Sequence, residues 1–167
     1  MKSIKPISIL SACVVVALAF GSQAKAPAAI AAIYAKLDAV TLKKDVAGFS
    51  KLLGDVATKD CTIIDSKGKS TSASKTMASM AKELAQFDKV NKSSSHIDKT
   101  VDKGSTVVLT VSSVLDVTAK SPDGKAHQFV QTSTSDDTWV KVGSSWKLKL
   151  SKTTKEKTTL DGKPYSM

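Results

Sequence analysis

The sequence contains no arginine, and only 5% of its 167 residues are aromatic. All 25 basic residues are therefore lysines. Arginine supplies the bidentate contacts that phosphate and base recognition favour, so its absence argues against a specific nucleic-acid-binding protein. A lysine-rich surface is well solvated, and we expect at most a weak attraction to anionic polymers or membranes.

Long apolar runs are also lacking. The longest, residues 7–20, is too short to cross a bilayer as a helix; it follows Lys2 and Lys5 and is itself followed by small residues. This order predicts a secretory signal peptide over residues 1–24. We therefore expect an exported protein, either periplasmic or secreted.

The cleavage site is predicted after Ala24, because Ser22-Gln23-Ala24 has small residues at both ends. Ala24-Lys25-Ala26 has the same form, but Pro27 would then follow the cut and hinder the peptidase. The mature chain is accordingly expected to begin at Lys25.

Cysteine is scarce, with two in the whole chain. Cys13 stands in a stretch that resembles a lipoprotein box, yet most of the apolar run follows it, so we do not expect lipidation. Removal of the signal leaves Cys61 alone, which predicts a buried thiol rather than a disulfide. It also removes Lys2 and Lys5, and the formal charge falls from +10 to +8.

Residues 25–167 are short enough for a single domain, and they read as helices followed by strands. Helical spacing of apolar residues predicts one helix over 28–44, a short one capped by Asp45 and closed by Gly54, and a third that begins near Ser72 or Ser74. Between the last two, "CTIIDSKGKS" predicts a short strand and a turn.

Beyond residue 88 the helical spacing gives way to Val- and Thr-rich segments separated by turn signals. We predict an antiparallel meander of four long strands, over about 89–102, 105–120, 125–142 and 145–157. The residues after it read as a basic, frayed tail. The predicted fold class is α+β, with three helices packed on a curved antiparallel sheet.

The two tryptophans indicate the register of the last hairpin. Trp146, Leu148 and Leu150 alternate with lysines, so this strand has one buried face. A two-residue turn at 143–144 places Trp139 opposite Leu148, on the face of Trp146. Both indoles therefore point towards the helices.

The same register, carried across the sheet, gives an inner face that contains Leu109 and Phe129 but also ionisable residues. Asp98 and Asp137 fall on the two strands that flank Leu109, and His96 falls on the same side. A water-filled cavity would accommodate these groups, and a one-residue slip would turn them outward. We favour such a slip or a local bulge, because the alternate residues of these strands are apolar too.

This order of elements resembles the cone of nuclear transport factor 2-like proteins, in particular the SnoaL-like and ketosteroid-isomerase-like branch. The resemblance is carried by "AAIYAKLDAVTLKKDVAGFSKLL", "KDCTIIDSKGKS" and "DDTWVKVGSSWKLKL", and it extends from Ala28 to about Thr158. It implies a cone whose mouth holds a small molecule without a cofactor, and a homodimer formed through the sheet.

The resemblance also implies candidate carboxylates. A base lies five residues after the acid that opens the first strand, and from Asp60 this position is Asp65. A protonated acid that holds an oxyanion lies six residues before the glycine of the last hairpin, here Asp137 before Gly143. Since Asp65 directly precedes a Gly-containing turn, we favour a turn-forming role for it.

The tyrosine of the isomerase-like branch is missing, because the corresponding position is Leu37. Tyr34, nearly one turn earlier, is the substitute that the sequence offers. A third candidate is His96, which could form an acid/base pair with Asp137 across the inner face. A lone histidine on a strand is more often structural or exposed.

We therefore expect an exported, non-catalytic domain that binds a small apolar or amphipathic ligand or a protein partner. The predicted ligand-binding residues are Tyr34, Trp139, Trp146, Phe129 and Leu109. The alternative is a cofactor-free isomerase or cyclase that uses Asp137, Asp65 or His96. No metal-ligand spacing is present in the sequence, and no metal is expected.

Overall fold

The computed structural model describes residues 25–120 and 124–165. The predicted signal peptide lies outside these residues. The helices are α1 (Ala28–Leu42), α2 (Val46–Val56) and α3 (Ala73–Gln86). The strands are β1 (Ala57–Ile64), β2 (Ser70–Ser72), β3 (Lys89–Asp102), β4 (Thr106–Lys120), β5 (Ala126–Val142), β6 (Ser145–Leu160) and β7 (Lys163–Tyr165).

The strands form one curved sheet in the order β2-β1-β6-β5-β4-β3, with β7 paired to β6. The predicted meander of four long antiparallel strands is confirmed by the pairings of β3 to β6. The sheet as a whole is mixed, because the short first strand, β1, runs parallel to β6. The chain returns from β1 to β6 through α3 and three long strands rather than a hairpin, which permits this direction.

The start of α2 follows the prediction. The Asp45 side chain accepts a hydrogen bond from the backbone N–H of Gly48 at 2.8 Å, which is the contact of an N-cap. The helix continues to Val56, two residues beyond the glycine at position 54 that was expected to end it. Its buried face contains Phe49.

The frayed tail is an incorrect prediction. β6 extends to Leu160, and a turn at Asp161 and Gly162, both with positive φ, leads into β7. Asp-Gly is a strong signal for such a hairpin. The Asp161 carboxylate also contacts His127 Nδ1 at 2.7 Å and the backbone N–H of Gln128 at 2.9 Å, which fastens the hairpin to β5.

The core consists of two clusters of buried side chains. One is formed by Ile30, Val56, Cys61, Ala73, Val107, Leu109, Val111, Trp139 and Leu148. The other is formed by Phe49, Leu84, Val90 and Val117. The burial of the lone thiol is as predicted, with Cys61 2% exposed. In the described part of the chain, none of the helices combines the length and the apolar character needed to span a membrane.

The hairpin that carries both tryptophans has the predicted register. Trp139 lies opposite Leu148, and Val142 pairs with Ser145 across the two-residue turn. Asp137 also lies opposite Leu109, as predicted.

Candidate functional site

A cavity of about 500 Å³ lies between the helices and the concave face of the sheet. Small-molecule sites commonly have volumes of about 300–1,000 Å³. The helical side is mostly apolar, with Asp38 and Glu83 as its charged residues, and its apolar side chains are those of Leu37, Phe49, Leu53, Met77, Met80, Leu84 and Phe87. The sheet side is rich in hydroxyl groups, from Ser93, Ser95, Ser113, Ser133, Ser135, Ser151 and Thr153. The two walls differ in polarity, so the cavity is amphipathic.

Several of these hydroxyls form a row across the sheet. Ser95 on β3 lies opposite Ser113 on β4, which lies opposite Ser133 on β5. Glu156 on β6 is the next neighbour of Ser133. Strands lie about 4.8 Å apart, so this polar row is about 14 Å wide. It gives the cavity a continuous surface of hydrogen-bonding groups.

At the deep end of the cavity, Asp137 is the centre of a small hydrogen-bonded cluster. Tyr34 Oη donates to Asp137 Oδ2 at 2.5 Å, and Ser151 Oγ donates to Asp137 Oδ1 at 2.6 Å. Trp139 Nε1 donates to Tyr34 Oη at 3.1 Å, and the two rings pack edge to face. Asp137 is only 6% exposed. Both of its oxygens therefore have protein donors, as a buried carboxylate requires.

Burial governs the acidities of this cluster. It raises the pKa of Asp137, and the hydrogen bonds from Ser151 and Tyr34 oppose the rise. Burial and the negative charge of Asp137 raise the pKa of the Tyr34 phenol above its usual value. Burial, together with Asp137 and Asp60, raises the pKa of Cys61 to about 11. At neutral pH the phenol and the thiol therefore both keep their protons.

Ser151 reaches the cluster through an irregularity of β6. Leu148 pairs with Trp139, yet Leu150 pairs with Thr138, so one extra residue is inserted into β6. The prediction that Leu150 lies on the inner face is wrong for this reason. The bulge turns Leu150 to the other face and turns Ser151 towards Asp137.

Asp65 lies in the cavity lining, but its carboxylate also forms the turn that follows β1. Asp65 Oδ1 accepts hydrogen bonds from the backbone N–H groups of Lys67 at 3.0 Å and Lys69 at 2.8 Å. These contacts are those of an Asp-stabilised turn. They agree with the turn-forming role that the sequence favoured.

The structure does not bring His96 and Asp137 together. His96 pairs with Ser112 on β4 and has an 82% exposed side chain, on the face opposite to the cavity. The register of β3 shifts between Ile97 and Lys99, so Thr100 rather than Asp98 lies opposite Leu109. The irregularity therefore turns Asp98 outward, as the favoured slip or local bulge predicted. That prediction is wrong for Asp137, which stays on the inner face opposite Leu109.

Of the five predicted ligand-binding residues, Tyr34 and Trp139 line the cavity. The other three pack elsewhere in the described structure. Leu109 is fully buried in the core, and Trp146 packs against the same cluster. Phe129 packs against the second cluster. A position on the inner face of the sheet therefore does not by itself give access to the cavity. The side chains of the two core clusters cover these three residues.

Three carboxylates of the lining, from Asp38, Glu83 and Glu156, were not predicted as site residues. Asp38 accepts hydrogen bonds from Ser93 Oγ at 3.0 Å and from the backbone N–H of Ser95 at 2.8 Å. Glu156 accepts a hydrogen bond from Ser66 Oγ at 2.5 Å. The position of Asp38, four residues after Tyr34 on one helix face, was an available signal. No such signal was available for Glu156, because it follows the bulge in β6 and strand alternation no longer indicates its face.

The described residues contain no group of three or more metal-binding side chains. The cluster around Asp137 has one carboxylate and three neutral hydrogen-bonding side chains. Its chemistry is therefore that of hydrogen bonding and proton holding.

No protein-family model and no curated protein matches the sequence. Solved structures do match the fold. A protein of Kribbella flavida has a TM-score of 0.61 and 15% identity, with 76% of this chain and 88% of that chain covered. A nuclear transport factor 2-like protein of Cytophaga hutchinsonii has a TM-score of 0.54 and 14% identity, with 78% and 98% covered.

A third similar structure is a candidate scytalone dehydratase of Novosphingobium aromaticivorans. It has a TM-score of 0.55 and 17% identity, with 84% of this chain and 87% of that chain covered. At these identities the likeness concerns the fold. With three helices packed on a curved mixed sheet, the chain has the nuclear transport factor 2-like fold.

Proposed function

We propose that the mature chain is an exported binding protein whose cavity holds a small amphipathic molecule. The observation that carries this proposal is the two-sided lining of the cavity, with apolar side chains on the helices and hydroxyl groups on the sheet. A ligand with an apolar part and a polar end would match both walls at once.

The apolar wall supports retention of the ligand. Met77, Met80, Leu84 and Phe87 on and after α3 lie across from the sheet in the lining. Burial of apolar ligand surface contributes roughly 25 cal/mol per Å². Methionine side chains adapt to irregular shapes, which suits a site that accepts a flexible chain.

The polar row supports orientation of the ligand. Ser113 and Ser133 are half-buried neighbours in the middle of the row, and each hydroxyl can donate one hydrogen bond and accept others. A polar ligand end that contacts these groups would be fixed at the centre of the sheet, with its apolar part against the helices.

The groups needed for acid/base catalysis are less complete than those needed for binding. Both Asp137 oxygens accept hydrogen bonds from protein donors, and Asp65 Oδ1 is engaged by its own turn. His96 lies on the outer face. Of the three candidate catalytic residues, Asp137 alone is buried within the cavity.

A second function is favoured by one observation, the 2.5 Å hydrogen bond between Tyr34 and Asp137. A buried carboxyl with a raised pKa, joined to a phenol, can stabilise a developing oxyanion. An isomerase- or cyclase-like enzyme would therefore use Asp137 and Tyr34. A ligand captured in two chemical forms by the wild type, but in one form by Asp137→Asn, would support this function over simple binding.

The test of binding is calorimetric titration of the mature chain with 1-octanol, a neutral amphipathic probe. Ser133→Phe fills the cavity from its polar wall, and we expect it to abolish the heat of binding. The matched control is Thr132→Phe, because residue 132 is exposed on the opposite face of the same strand. This variant should bind the probe as the wild type does. Equal binding by all three proteins, or none by the wild type, would refute the cavity as the binding site.

Export is tested by the intact mass of the protein recovered from the exported fraction. We expect a chain that begins at Lys25, since Ser22-Gln23-Ala24 forms the predicted cleavage site. A mass that corresponds to a lipidated Cys13 would identify a lipoprotein instead, and recovery of the uncut chain from the cytoplasm would argue against export.

A further inference from the structure

All charged side chains that line the cavity in the described structure are acidic. The sequence has 25 lysines, yet no lysine, arginine or histidine lines the cavity in the described structure. The lining includes five carboxylates, from Asp38, Asp65, Glu83, Asp137 and Glu156. Asp65, Glu83 and Glu156 are exposed, whereas Asp38 is half-buried and Asp137 is buried. The cavity and its opening are therefore acidic, in a protein that is basic as a whole.

The partners of these carboxylates are neutral groups. Glu156 accepts hydrogen bonds from Ser66 Oγ and from Gln131 Nε2. Glu83 Oε1 accepts a hydrogen bond from Ser79 Oγ at 3.2 Å. Such donors orient a carboxylate without neutralising its charge.

The inner carboxylates show the same pattern. Asp38 is held by the hydroxyls of Ser93 and Ser95, and Asp137 is held by Tyr34 and Ser151. A cleft with charges of one sign and apolar walls concentrates the electric field, because the walls have a low dielectric constant. That field attracts a cation into the cavity and repels an anion.

The polar row offers a place for the cation. Ser133 and Glu156 are direct neighbours on β5 and β6. An ammonium group has three donors and no acceptor, so a hydroxyl oxygen and a carboxylate suit it well. The apolar wall, with Met80 and Leu84, faces this row across the cavity.

We propose that the ligand of this cavity is an amphipathic amine, whose ammonium group lies between Ser133 and Glu156 and whose apolar part lies against α3. This inference rests on the proposed binding function and specifies the chemical class of its ligand. It excludes fatty acids and other amphipathic anions, although the outer surface of the protein is lysine-rich.

The test uses three probes with the same eight-carbon chain: n-octylammonium, 1-octanol and octanoate. Calorimetric titrations of the mature chain are made at pH 7 in 50 mM and in 500 mM NaCl. In 50 mM salt we expect n-octylammonium to bind about fivefold more tightly than 1-octanol, as one to a few partly exposed charge contacts provide. Octanoate should bind more weakly than 1-octanol. High salt should reduce the preference for the ammonium probe, because it screens these charges.

Glu156→Gln keeps the size of the side chain and removes its charge. It should lower the ratio of ammonium to alcohol affinity at least about twofold. Asp55→Asn is the matched control, since Asp55 is exposed and paired with Lys51 outside the cavity. It should leave the ratio as in the wild type.

The outcomes separate the two proposals. If 1-octanol and n-octylammonium bind equally well and Ser133→Phe abolishes both, the cavity binds ligands but the amine proposal is wrong. Preferred binding of octanoate would likewise overturn it. If 1-octanol fails to bind, or binds Ser133→Phe as it binds the wild type, the proposed binding function fails as well.

Discussion

At the scale of single residues, Asp137 is the unusual group of this protein. A carboxylate that is 6% exposed is costly unless donors replace the water that it lost. Tyr34 and Ser151 supply these donors from α1 and β6, and Trp139 supplies a donor to the Tyr34 oxygen. The cluster thus joins one helix to two strands at the deep end of the cavity.

Replacement of Tyr34 by Phe removes one oxygen that serves two partners. Asp137 loses a donor, and the Trp139 N–H loses its acceptor. We expect the free energy of unfolding to fall by about 1–3 kcal/mol, the usual cost of leaving a buried polar group without a partner. Urea denaturation at pH 7 measures this change.

Tyr165→Phe is the matched control for that experiment. Tyr165 is 41% exposed and its ring packs against Phe129, a contact that phenylalanine retains. Its substitution should change the free energy of unfolding by less than about 0.5 kcal/mol. Equal effects of the two substitutions would show that the hydroxyl of Tyr34 contributes little to the fold.

Asp137 also makes the stability depend on pH. Its pKa is raised in the folded state, so the folded protein retains this proton to a higher pH than the unfolded chain does. The contribution of Asp137 to the free energy of unfolding is then largest near and below about pH 4, the unfolded pKa of an aspartate, and it falls as the pH rises through the folded pKa. In Asp137→Asn this contribution is absent. Denaturation curves from pH 4 to pH 8 should show a smaller fall for the variant.

The control for this pH series is Asp136→Asn. Asp136 is the neighbour of Asp137 in sequence and accepts a hydrogen bond from Thr110 at 2.8 Å. Its negative charge is the smallest of the effects that act on the pKa of Asp137, so this variant should keep most of the pH-dependent fall of the wild type. A fall of the same size in Asp137→Asn would mean that another group is responsible.

At the scale of the elements, the strictly alternating register failed where a strand contains an inserted residue. Because of the bulge in β6, Ser151 lies on the inner face where strict alternation predicts Leu150. The irregularity in β3 turns Asp98 outward. An inserted residue changes the face of everything beyond it, and side-chain alternation alone does not indicate where the insertion occurs. The C-terminal hairpin is different, because Asp161-Gly162 was a readable turn signal.

The N-terminus of α2 allows a test of two opposing local effects. A Cβ atom added at Gly48 would overlap the Asp45 carboxylate, so Gly48→Ala must displace the capping side chain. Loss of the cap costs about 1 kcal/mol, and an alanine in place of a helical glycine gains up to about 1 kcal/mol. We expect Gly48→Ala to be nearly neutral and Asp45→Ala to lower the free energy of unfolding by about 1 kcal/mol.

The double variant decides between these effects. With the Asp45 cap already absent, Gly48→Ala should raise the free energy of unfolding by about 0.5–1 kcal/mol, because only the gain in helix propensity remains. Thermal denaturation of the four proteins gives the coupling between the two positions. Additive effects would contradict the clash between the cap and the new methyl group.

At the scale of the whole molecule, the sequence predicted the architecture well and the cavity poorly. The three helices, the meander and the tryptophan hairpin follow from local periodicity and turn chemistry, which a single sequence displays. The lining depends on contacts between distant elements, as with Asp38 on α1 and Ser95 on β3. The predicted residues Tyr34 and Trp139 do line the cavity, because both lie on buried faces that alternation could identify.

Charge is also a property of the whole molecule. A formal charge of +8 remains after removal of the predicted signal peptide, and the lysines concentrate on surfaces outside the cavity. Repulsion among like charges destabilises a compact state, and salt screens it. We therefore expect the Tm of the mature chain to rise when NaCl is increased from 20 mM to 300 mM.

The size of that rise should follow the net charge. Lys155 and Lys157 are exposed on β6 and pair with Thr134 and Thr132, so their replacement by glutamate meets no carboxylate directly opposite. The double variant carries a formal charge four units less positive, and its Tm should rise less with salt than that of the wild type. Substitution of the same two residues by glutamine should have an intermediate effect. A Tm that falls with salt in the wild type would mean that attractive ion pairs, such as Lys51–Asp55, outweigh the repulsion. In that case the lysine-rich surface would be a source of stability rather than a cost.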